Sequence, residues 1–526
     1  MTIQLTIDHL LWRMHNVHPE SQVVTVNADE TIERRTFAES AYRIEAIAHA
    51  LREKIGLSTG DVVTVFGWND REHFELLLAV PLAGGVLNSV NLRLGSTTMP
   101  QMATDPRPKA VVFSDGILDH ASVGEDVRAA VTAAHDAGAT VVHIGPSSAS
   151  FVSDSILYDD LLVDEPPVPR PSWVSSEDQT AFLFHTSGTT GAPKSYPVSH
   201  RAALLHCLSE ASVDATGLSS TDRMLPLAPF FHVNGWGLPL TCALTGASLV
   251  LAGSDVKPAR MARLMDAESV TVAAAVPSVW FGVCAAIANG DAPRPSRLRE
   301  VLTGGDALPE SVWNSLKTHL GVSVATAWGM TETMSCSTYE RDQPAEHAGK
   351  PIPLVELRLE DASGQDEDST VPGRLQIRGP FVIGDADPEG WFTTGDIATI
   401  SEEGTLTLRD REKDLIKSGG EWIASAEIEQ RLCAHPAVAA AAVVPVSDPR
   451  WIQRPRAYVV LADPASSTDG LYRMLSTHLA EKFPRWWLPD QIEVVDALPT
   501  TTVGKINKRA LRQMAETTTK KGVTLV

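Results

Sequence analysis

The 526-residue chain is poor in cysteine and in basic residues, and it has no long uninterrupted apolar run. Its five cysteines, Cys207, Cys242, Cys284, Cys336 and Cys433, contain no C-x-x-C pair and are odd in number. That excludes a paired-cysteine zinc site and a complete disulfide framework, and it fits a reducing cytoplasm. Lys and Arg total 44 against 65 Asp and Glu, a formal net charge of −21. Such a surface argues against nucleic acid as the main partner and against an anionic membrane face, since both repel it. The longest apolar stretch, 269–288, is divided by Pro277 and Ser278. A buried strand followed by a helix opening at proline explains it better than membrane insertion. Met1-Thr2-Ile3-Gln4 shows no signal-peptide pattern.

What is present describes a soluble globular chain, with 43% hydrophobic residues. At this length two or more domains are expected. The first half alternates in character. Strands are predicted at 62–66, 110–113, 140–144, 270–276, 300–303 and 322–327, and helices at 71–80, 126–137, 258–267 and 309–320. The last of these helices carries Val312, Leu316 and Leu320 on one face and is stopped by Gly321. This alternation predicts an α/β fold of mostly parallel sheets flanked by helices. After Lys350, short strands at 356–359, 374–378 and 405–408 are separated by Gly, Pro and Asp turns and predict a small β-rich lobe. A mixed segment follows, with helices at 425–433 and 470–483 and strands at 438–446, 456–461 and 492–495. It is long enough to form a small α+β domain of its own. The expected division is therefore 1–410 and 411–526, with a frayed tail from Thr517.

The strand-like run 181–184 empties into Thr186-Ser187-Gly188-Thr189-Thr190-Gly191-Ala192-Pro193-Lys194. Hydroxyls and bare backbone N–H groups bind phosphate oxygens, glycine lets the backbone come close, and lysine adds positive charge. No Gly-Lys pair closes the loop, so it is not a Walker A motif. A surface turn would have a similar composition, and the assignment therefore depends on partners elsewhere. Thr303-Gly304-Gly305-Asp306-Ala307 ends a short strand, where two glycines let a planar ring lie against the backbone; alone it is an ordinary turn. Trp328-Gly329-Met330-Thr331-Glu332 lies at the C-terminal end of a strand, the ligand-binding end of an open α/β sheet. Trp328 can stack on adenine or line a substrate pocket, Thr331 can donate to phosphate, and Glu332 can hold Mg²⁺, which prefers oxygen ligands. Thr394-Gly395-Asp396 reads as a turn whose aspartate can accept both ribose hydroxyls. The charged run 411–420 reads alone as a solvated linker. Gly504-Lys505 alone is a surface turn, yet a lysine on a mobile loop can neutralise a carboxylate attacking a phosphate.

In order and spacing, over almost the whole chain, these segments resemble the adenylate-forming superfamily of acyl-CoA synthetases, luciferases and peptide-synthetase adenylation domains. Four of them look most like medium-chain fatty-acid and methylmercaptopropionate-type CoA ligases. These are Phe231-His232-Val233-Asn234-Gly235-Trp236-Gly237, Ala327-Trp328-Gly329-Met330-Thr331-Glu332, Lys417-Ser418-Gly419-Gly420-Glu421-Trp422-Ile423 and Trp486-Trp487-Leu488-Pro489-Asp490. The resemblance implies a mobile C-terminal lid and a two-step reaction using ATP, Mg²⁺ and CoA. A carboxylate attacks the α-phosphate to give acyl-AMP and pyrophosphate, and the CoA thiol then displaces AMP. By resemblance, Lys505 serves adenylation, and Glu332, Thr331 and His232 belong to the catalytic group, with Glu332 on Mg²⁺. Thr186, Ser187, Gly188, Thr189, Thr190, Gly191 and Lys194 form the phosphate loop. Gly304, Gly305, Asp306, Trp328, Gly329, Met330, Asp396 and Arg411 hold the adenosine. Lys413 is the hinge. His232, Val233, Trp236, Val276, Trp280, Gly304 and Trp328 line the acyl pocket, and Lys417, Gly419, Gly420 and Trp422 the CoA tunnel.

The chain departs from that pattern in two places. Ser195 and Tyr196 follow the loop lysine, where glycine is usual. Asp448-Pro449-Arg450-Trp451-Ile452-Gln453-Arg454-Pro455 carries basic and apolar residues where relatives tend to be acidic, which adds positive character on the side expected to meet CoA. The departures motivate a second expectation, an adenylating enzyme whose acceptor is a carrier protein, an amine or a nitrite-type inorganic acid. A third, a silent adenylate-binding protein, is opposed by the intact Glu332, Asp396, Arg411 and Lys505. The expected partners are a carboxylic acid, ATP and CoA, with a homodimer as one possible assembly and the cytoplasm as the compartment.

Overall fold

The computed structural model describes residues 3–27, 29–145, 151–162, 173–186, 194–360, 372–418, 421–463, 470–499 and 506–520. The phosphate-loop residues 187–193, Gly419, Gly420, Gly504 and Lys505 lie outside the described residues.

Three sheets organise the chain. In the seven-stranded sheet, Ile156–Leu157, Thr140–Ile144, Ala110–Ser114, Val62–Phe66, Val86–Ser89 and Thr180–Thr186 run parallel, and Lys194–Ser199 closes the edge antiparallel. The thirteen-stranded sheet has a parallel block of Gln22–Val26, Ser248–Leu251, Arg223–Pro226, Val272–Ala275, Glu300–Gly304 and Ser323–Trp328. Its strands are rich in buried valine, leucine and alanine, as a sheet covered on both faces requires. An antiparallel run of Thr338–Arg341, His347–Pro351, Leu406–Arg411, Phe392–Ile400, Gly373–Arg378 and Glu356–Glu360 continues it. The predicted β-rich lobe is thus hydrogen-bonded into the large sheet. The small sheet pairs Glu421–Ile423, Ile416–Ser418, Ile452–Leu461, Val438–Asp448 and Gln491–Val494. Helices Ser425–Cys433 and Leu471–Ala480 share its core through Ile428, Leu432, Leu475 and Leu479.

Most predicted elements are present within a residue or two. The helix expected over 309–320 is different: it is α-helical only over Glu310–Ser315, and Leu316–Leu320 forms a π turn. The N–H of Gly321 bonds the carbonyl of Leu316 at 3.0 Å, the i→i+5 closure of such a turn, and Gly321 takes the left-handed φ of 59° that ends it. Val312, Leu316 and Leu320 are buried together as their spacing requires. Pro277 opens the helix Pro277–Ala288, and no helix of the described residues is long and apolar enough to cross a membrane.

Helix Phe37–Glu53 was not anticipated, although its start is marked. Thr36 accepts from the Glu39 N–H while the Glu39 carboxylate accepts from the Thr36 N–H, a reciprocal capping box. Thr36→Ala removes one of the two bonds. It is expected to lower stability by about 1 kcal/mol, seen as a lower urea midpoint with nucleotide affinity unchanged.

Candidate active site

Of the sequence-predicted residues, Val276, Gly304, Gly305, Trp328 and Gly329 lie at or just past the C-terminal ends of the parallel strands Val272–Ala275, Glu300–Gly304 and Ser323–Trp328. Gly304 is held so close to its neighbour strand that a Cβ there would lie 2.8 Å from the Ala327 carbonyl oxygen. At Gly305, with φ of 78°, a Cβ would meet Trp236 at 3.3 Å and Val276 at 3.4 Å. Glycine therefore keeps the backbone of this turn against the two apolar side chains expected in the acyl pocket. At Gly329 a Cβ would sit 1.1 Å from the Ser335 carbonyl oxygen, so only glycine fits between Trp328 and Met330.

Trp328 and Asp396 meet directly. The indole Nε1–H donates to Asp396 Oδ2 at 3.2 Å, and Arg411 Nε lies 2.7 Å from Asp396 Oδ1. Asp396 is buried, and its charge is balanced by the guanidinium of its cross-strand partner. The Thr394-Gly395-Asp396 turn expected from sequence is instead a bulge inside the nine-residue strand Phe392–Ile400. Register with Gly373–Arg378 slips between Arg374 and Gln376, and Gly395 takes a φ of 76°. The bulge re-aims Asp396 while leaving it in the sheet. Arg411, expected in a solvated linker, is the last residue of strand Leu406–Arg411.

A second group gathers where the expected phosphate loop leaves and rejoins the seven-stranded sheet. Its two ends, Thr186 and Lys194, are cross-strand partners. Lys194 Nζ reaches Asp385 at 2.5 Å and lies 5.2 Å from the centre of the Tyr196 ring. The Asp385 hydrogen bond raises the Lys194 pKa above its ordinary value, with Tyr196 adding to it. Tyr196 donates from its hydroxyl to Glu332 Oε1 at 3.1 Å. Ser195 Oγ is 2.9 Å from His185 Nδ1, and His185 Nε2 is 2.7 Å from Asn88 Oδ1. Burial pushes His185 down to about 4, so its ring is neutral.

The stretch after His232 is strained. Val233, Asn234, Gly235, Trp236 and Gly237 all have positive φ, at 42°, 40°, 60°, 66° and 82°. They form one left-handed turn. Non-glycine residues pay about 1–2 kcal/mol each for that conformation, and clusters of it mark functional sites. Burial of Val233 and Trp236 and an Asn234 Nδ2 bond to the Phe230 carbonyl at 3.2 Å oppose the strain. Beneath the turn, a Cβ on Gly237 would lie 2.7 Å from His206 Cε1 and 3.1 Å from Glu210 Oε2. Glu210 is fully buried and accepts from Thr241 Oγ1 at 2.6 Å; burial lifts its pKa to about 8 and lowers that of His206 to about 4. Both are therefore neutral near pH 7. Neither was singled out in the sequence, since an isolated His and Glu on an apolar helix carry no local signature.

The structure does not bring Trp280 into this group. It is fully buried in a second apolar cluster with Met261, Val283 and Val312, and its Nε1–H donates to the Leu302 carbonyl at 3.2 Å. It is a core residue on the sheet-facing side of helix Pro277–Ala288. Thr331 is buried, and Asp306 accepts from the Ala307 N–H at 2.9 Å.

Near the boundary, Asp410 Oδ2 accepts from Ser425 N at 2.5 Å, Ser425 Oγ at 2.7 Å and Ala426 N at 3.3 Å, capping helix Ser425–Cys433 from the large sheet. The Lys413 carbonyl accepts from Arg512 Nη1 at 3.4 Å, and desolvation with the Arg411 and Arg512 charges lowers the Lys413 pKa. Lys417 and Trp422 are cross-strand partners, with the ammonium 5.5 Å from the half-exposed ring. Arg454 does not add free positive charge here. It bonds Asp490, Ser418 Oγ and the Trp486 and Leu488 carbonyls.

With this geometry in place, comparison with known proteins is direct. The family model "AMP-binding enzyme" matches residues 11–384, and "AMP-binding enzyme C-terminal domain" matches residues 427–505. The chain belongs to the AMP-binding enzyme family. This AMP-binding enzyme is 34% identical to a 3-methylmercaptopropionyl-CoA ligase of Ruegeria lacuscaerulensis, across 97% of each chain. It is also 34% identical to a medium-chain-fatty-acid–CoA ligase of Ectopseudomonas oleovorans, across 98% of this chain and 96% of that one. Its fold matches an anthranilate–CoA ligase crystallised with anthranoyl-AMP, at a TM-score of 0.86, 23% identity and 99% coverage of both.

Because the folded-state pKa of Glu210 lies above that of an unfolded glutamate, its proton favours the folded state. That contribution is whole below about pH 4.5 and is lost as pH rises toward about 8. Glu210→Gln is expected to flatten the pH dependence of the thermal midpoint across this window, as measured by calorimetry.

Proposed function

We infer that the chain is an ATP-dependent, AMP-forming acid–CoA ligase with ATP, Mg²⁺ and CoA as co-reactants. The acid's carboxylate oxygen bonds to the α-phosphorus of ATP as the bond to pyrophosphate breaks. The CoA sulfur then bonds to the acyl carbon of the mixed anhydride, the C–O bond to AMP breaks, and the thiol proton is lost to solvent. The single observation that carries the reading is the Trp328–Asp396–Arg411 group at the strand ends. It combines an aromatic face with a charge-balanced carboxylate, the chemistry needed to take adenine and ribose hydroxyls.

The residues present fit Mg²⁺ carried on nucleotide phosphates. Glu332 and the hydroxyls of Thr186 and Thr331 are hard oxygen donors, and the described residues contain no cluster of His, Cys, Asp and Glu able to hold a metal on its own. Bound there, the ion would neutralise charge developing on the departing pyrophosphate. The residues have separate tasks. Lys194 adds positive charge beside the phosphates, Lys505 neutralises the attacking carboxylate, and Lys413 lets the 411–526 unit turn on the 1–410 unit between steps. His232, Val233, Trp236, Val276 and Gly305 border the acid. Lys417 and Trp422 border the CoA thiol's path.

Among acids, the two relatives above are named for a medium-chain fatty acid and a thioether acid. We place the substrate in that range, short to medium chains with an apolar or thioether body. Support comes from the apolar Trp236 and Val276 packed against Gly305.

Two experiments test the assignment. Pyrophosphate release is measured over a panel of carboxylic acids with and without CoA. A CoA-dependent thioester is expected for at least one apolar or thioether acid, while AMP without a thioester would reassign the acceptor. Lys505→Ala is expected to cut acyl-AMP formation by at least 100-fold, in line with the loss of one preorganised charge. ATP affinity should be nearly unchanged, and adenylation at the parent rate would remove Lys505 from the mechanism.

A further inference from the structure

We propose that Tyr196 is a positioning residue that aims the Glu332 carboxylate at the nucleotide-borne magnesium, an inference that rests on the reading of Glu332 given above. Tyr196 lies just past the phosphate loop, on strand Lys194–Ser199, and it stands in the segment that departs from the pattern of the resembling ligases. Strand alternation exposes Ser195 and Pro197 and buries Tyr196 and Val198, and Lys194 shares the Tyr196 face at the exposed start of the strand. The ring is opposite Phe184 across the sheet and has the Lys194 ammonium 5.2 Å from its centre. Its hydroxyl donates to Glu332 Oε1 at 3.1 Å.

Glu332 is held from two sides. Its backbone carbonyl accepts from Ile383 N at 2.8 Å and Gly384 N at 3.1 Å, which fixes the main chain. Three side-chain torsions remain, and among the described residues the Tyr196 bond is the one side-chain hydrogen bond that restrains them. A phenol donates one hydrogen bond, so it occupies Oε1 and leaves Oε2 able to ligate. Outer hydrogen-bond partners of this kind orient ligating carboxylates, and their loss typically costs 10–100-fold in metal affinity. The same ring contacts the loop lysine, so Tyr196 couples the two sides of the phosphate site through one rigid group.

The test is calorimetric binding of α,β-methylene-ATP to the intact protein, with and without Mg²⁺. Tyr196→Phe keeps the buried ring and its contact with Lys194 and removes only the hydroxyl. The gain in nucleotide affinity on adding Mg²⁺ is expected to fall by about 10-fold, with metal-free affinity and the melting temperature unchanged. Glu332→Gln, measured alongside, is expected to remove most of that gain. A full gain in Tyr196→Phe with the gain lost in Glu332→Gln overturns the role of Tyr196 and leaves the reading of Glu332 intact. A full gain in Glu332→Gln overturns both.

Discussion

The site depends on curvature. Trp328 and Asp396 lie on strands separated by three others in the large sheet: Thr338–Arg341, His347–Pro351 and Leu406–Arg411. In a flat sheet four strand spacings would put them about 19 Å apart, beyond the combined reach of an indole and a carboxylate. Their side chains nevertheless meet at 3.2 Å. The antiparallel end of the sheet must therefore curl back over the C-terminal ends of the parallel strands. The strand bulge at Gly395 and the register slip between His347 and Gly349 supply the bending. With that curl, the aspartate from one end of the sheet and the tryptophan from its middle become one site.

The same geometry explains why two adjacent residues serve two units. Along strand Leu406–Arg411, side chains alternate between faces. Arg411 turns to Asp396, while Asp410 turns the other way and caps the helix Ser425–Cys433. The pairing to Asp396 and the attachment of the smaller sheet are thus carried by two side chains one peptide bond apart. Lys508, which bonds Ser425 Oγ at 2.7 Å and Glu429 at 2.8 Å, ties the C-terminal helix to the same corner.

Much of this was legible in the residues because several local signals agreed. Pro277, Gly321 and the β-branched runs marked element ends, and the spacing of Val312, Leu316 and Leu320 marked a buried face. Asp396, Arg411, Trp328 and Glu332 could be named only together, through the order and spacing of their segments in the family they resemble, since a Gly-Asp turn or a charged run means little alone. What could not be read depends on contacts distant in sequence. A Gly-Asp turn and a Gly-Asp bulge look alike until the partner strand is known. Trp280 has the same composition around it as a pocket tryptophan, and only the helix's rotation against the sheet decides its side. The buried neutral pair of His206 and Glu210 is spaced i, i+4 on helix His200–Glu210, as any two residues on one helix face are, and its significance lies in Gly237 passing overhead.

The left-handed turn from Val233 to Gly237 has a consequence for which substitutions this segment can accept. Its residues already bear backbone strain, so replacements there are filtered first by conformation and only then by what they offer a substrate. A residue with a Cβ at Gly235 would pay for its φ of 60° and would also meet the Phe230 ring at 2.8 Å. Val276, which packs with Trp236 against Gly305, has ordinary extended backbone and carries no such filter. Side-chain variation is therefore freer at Val276 than in the strained turn, where the backbone decides before any side chain does.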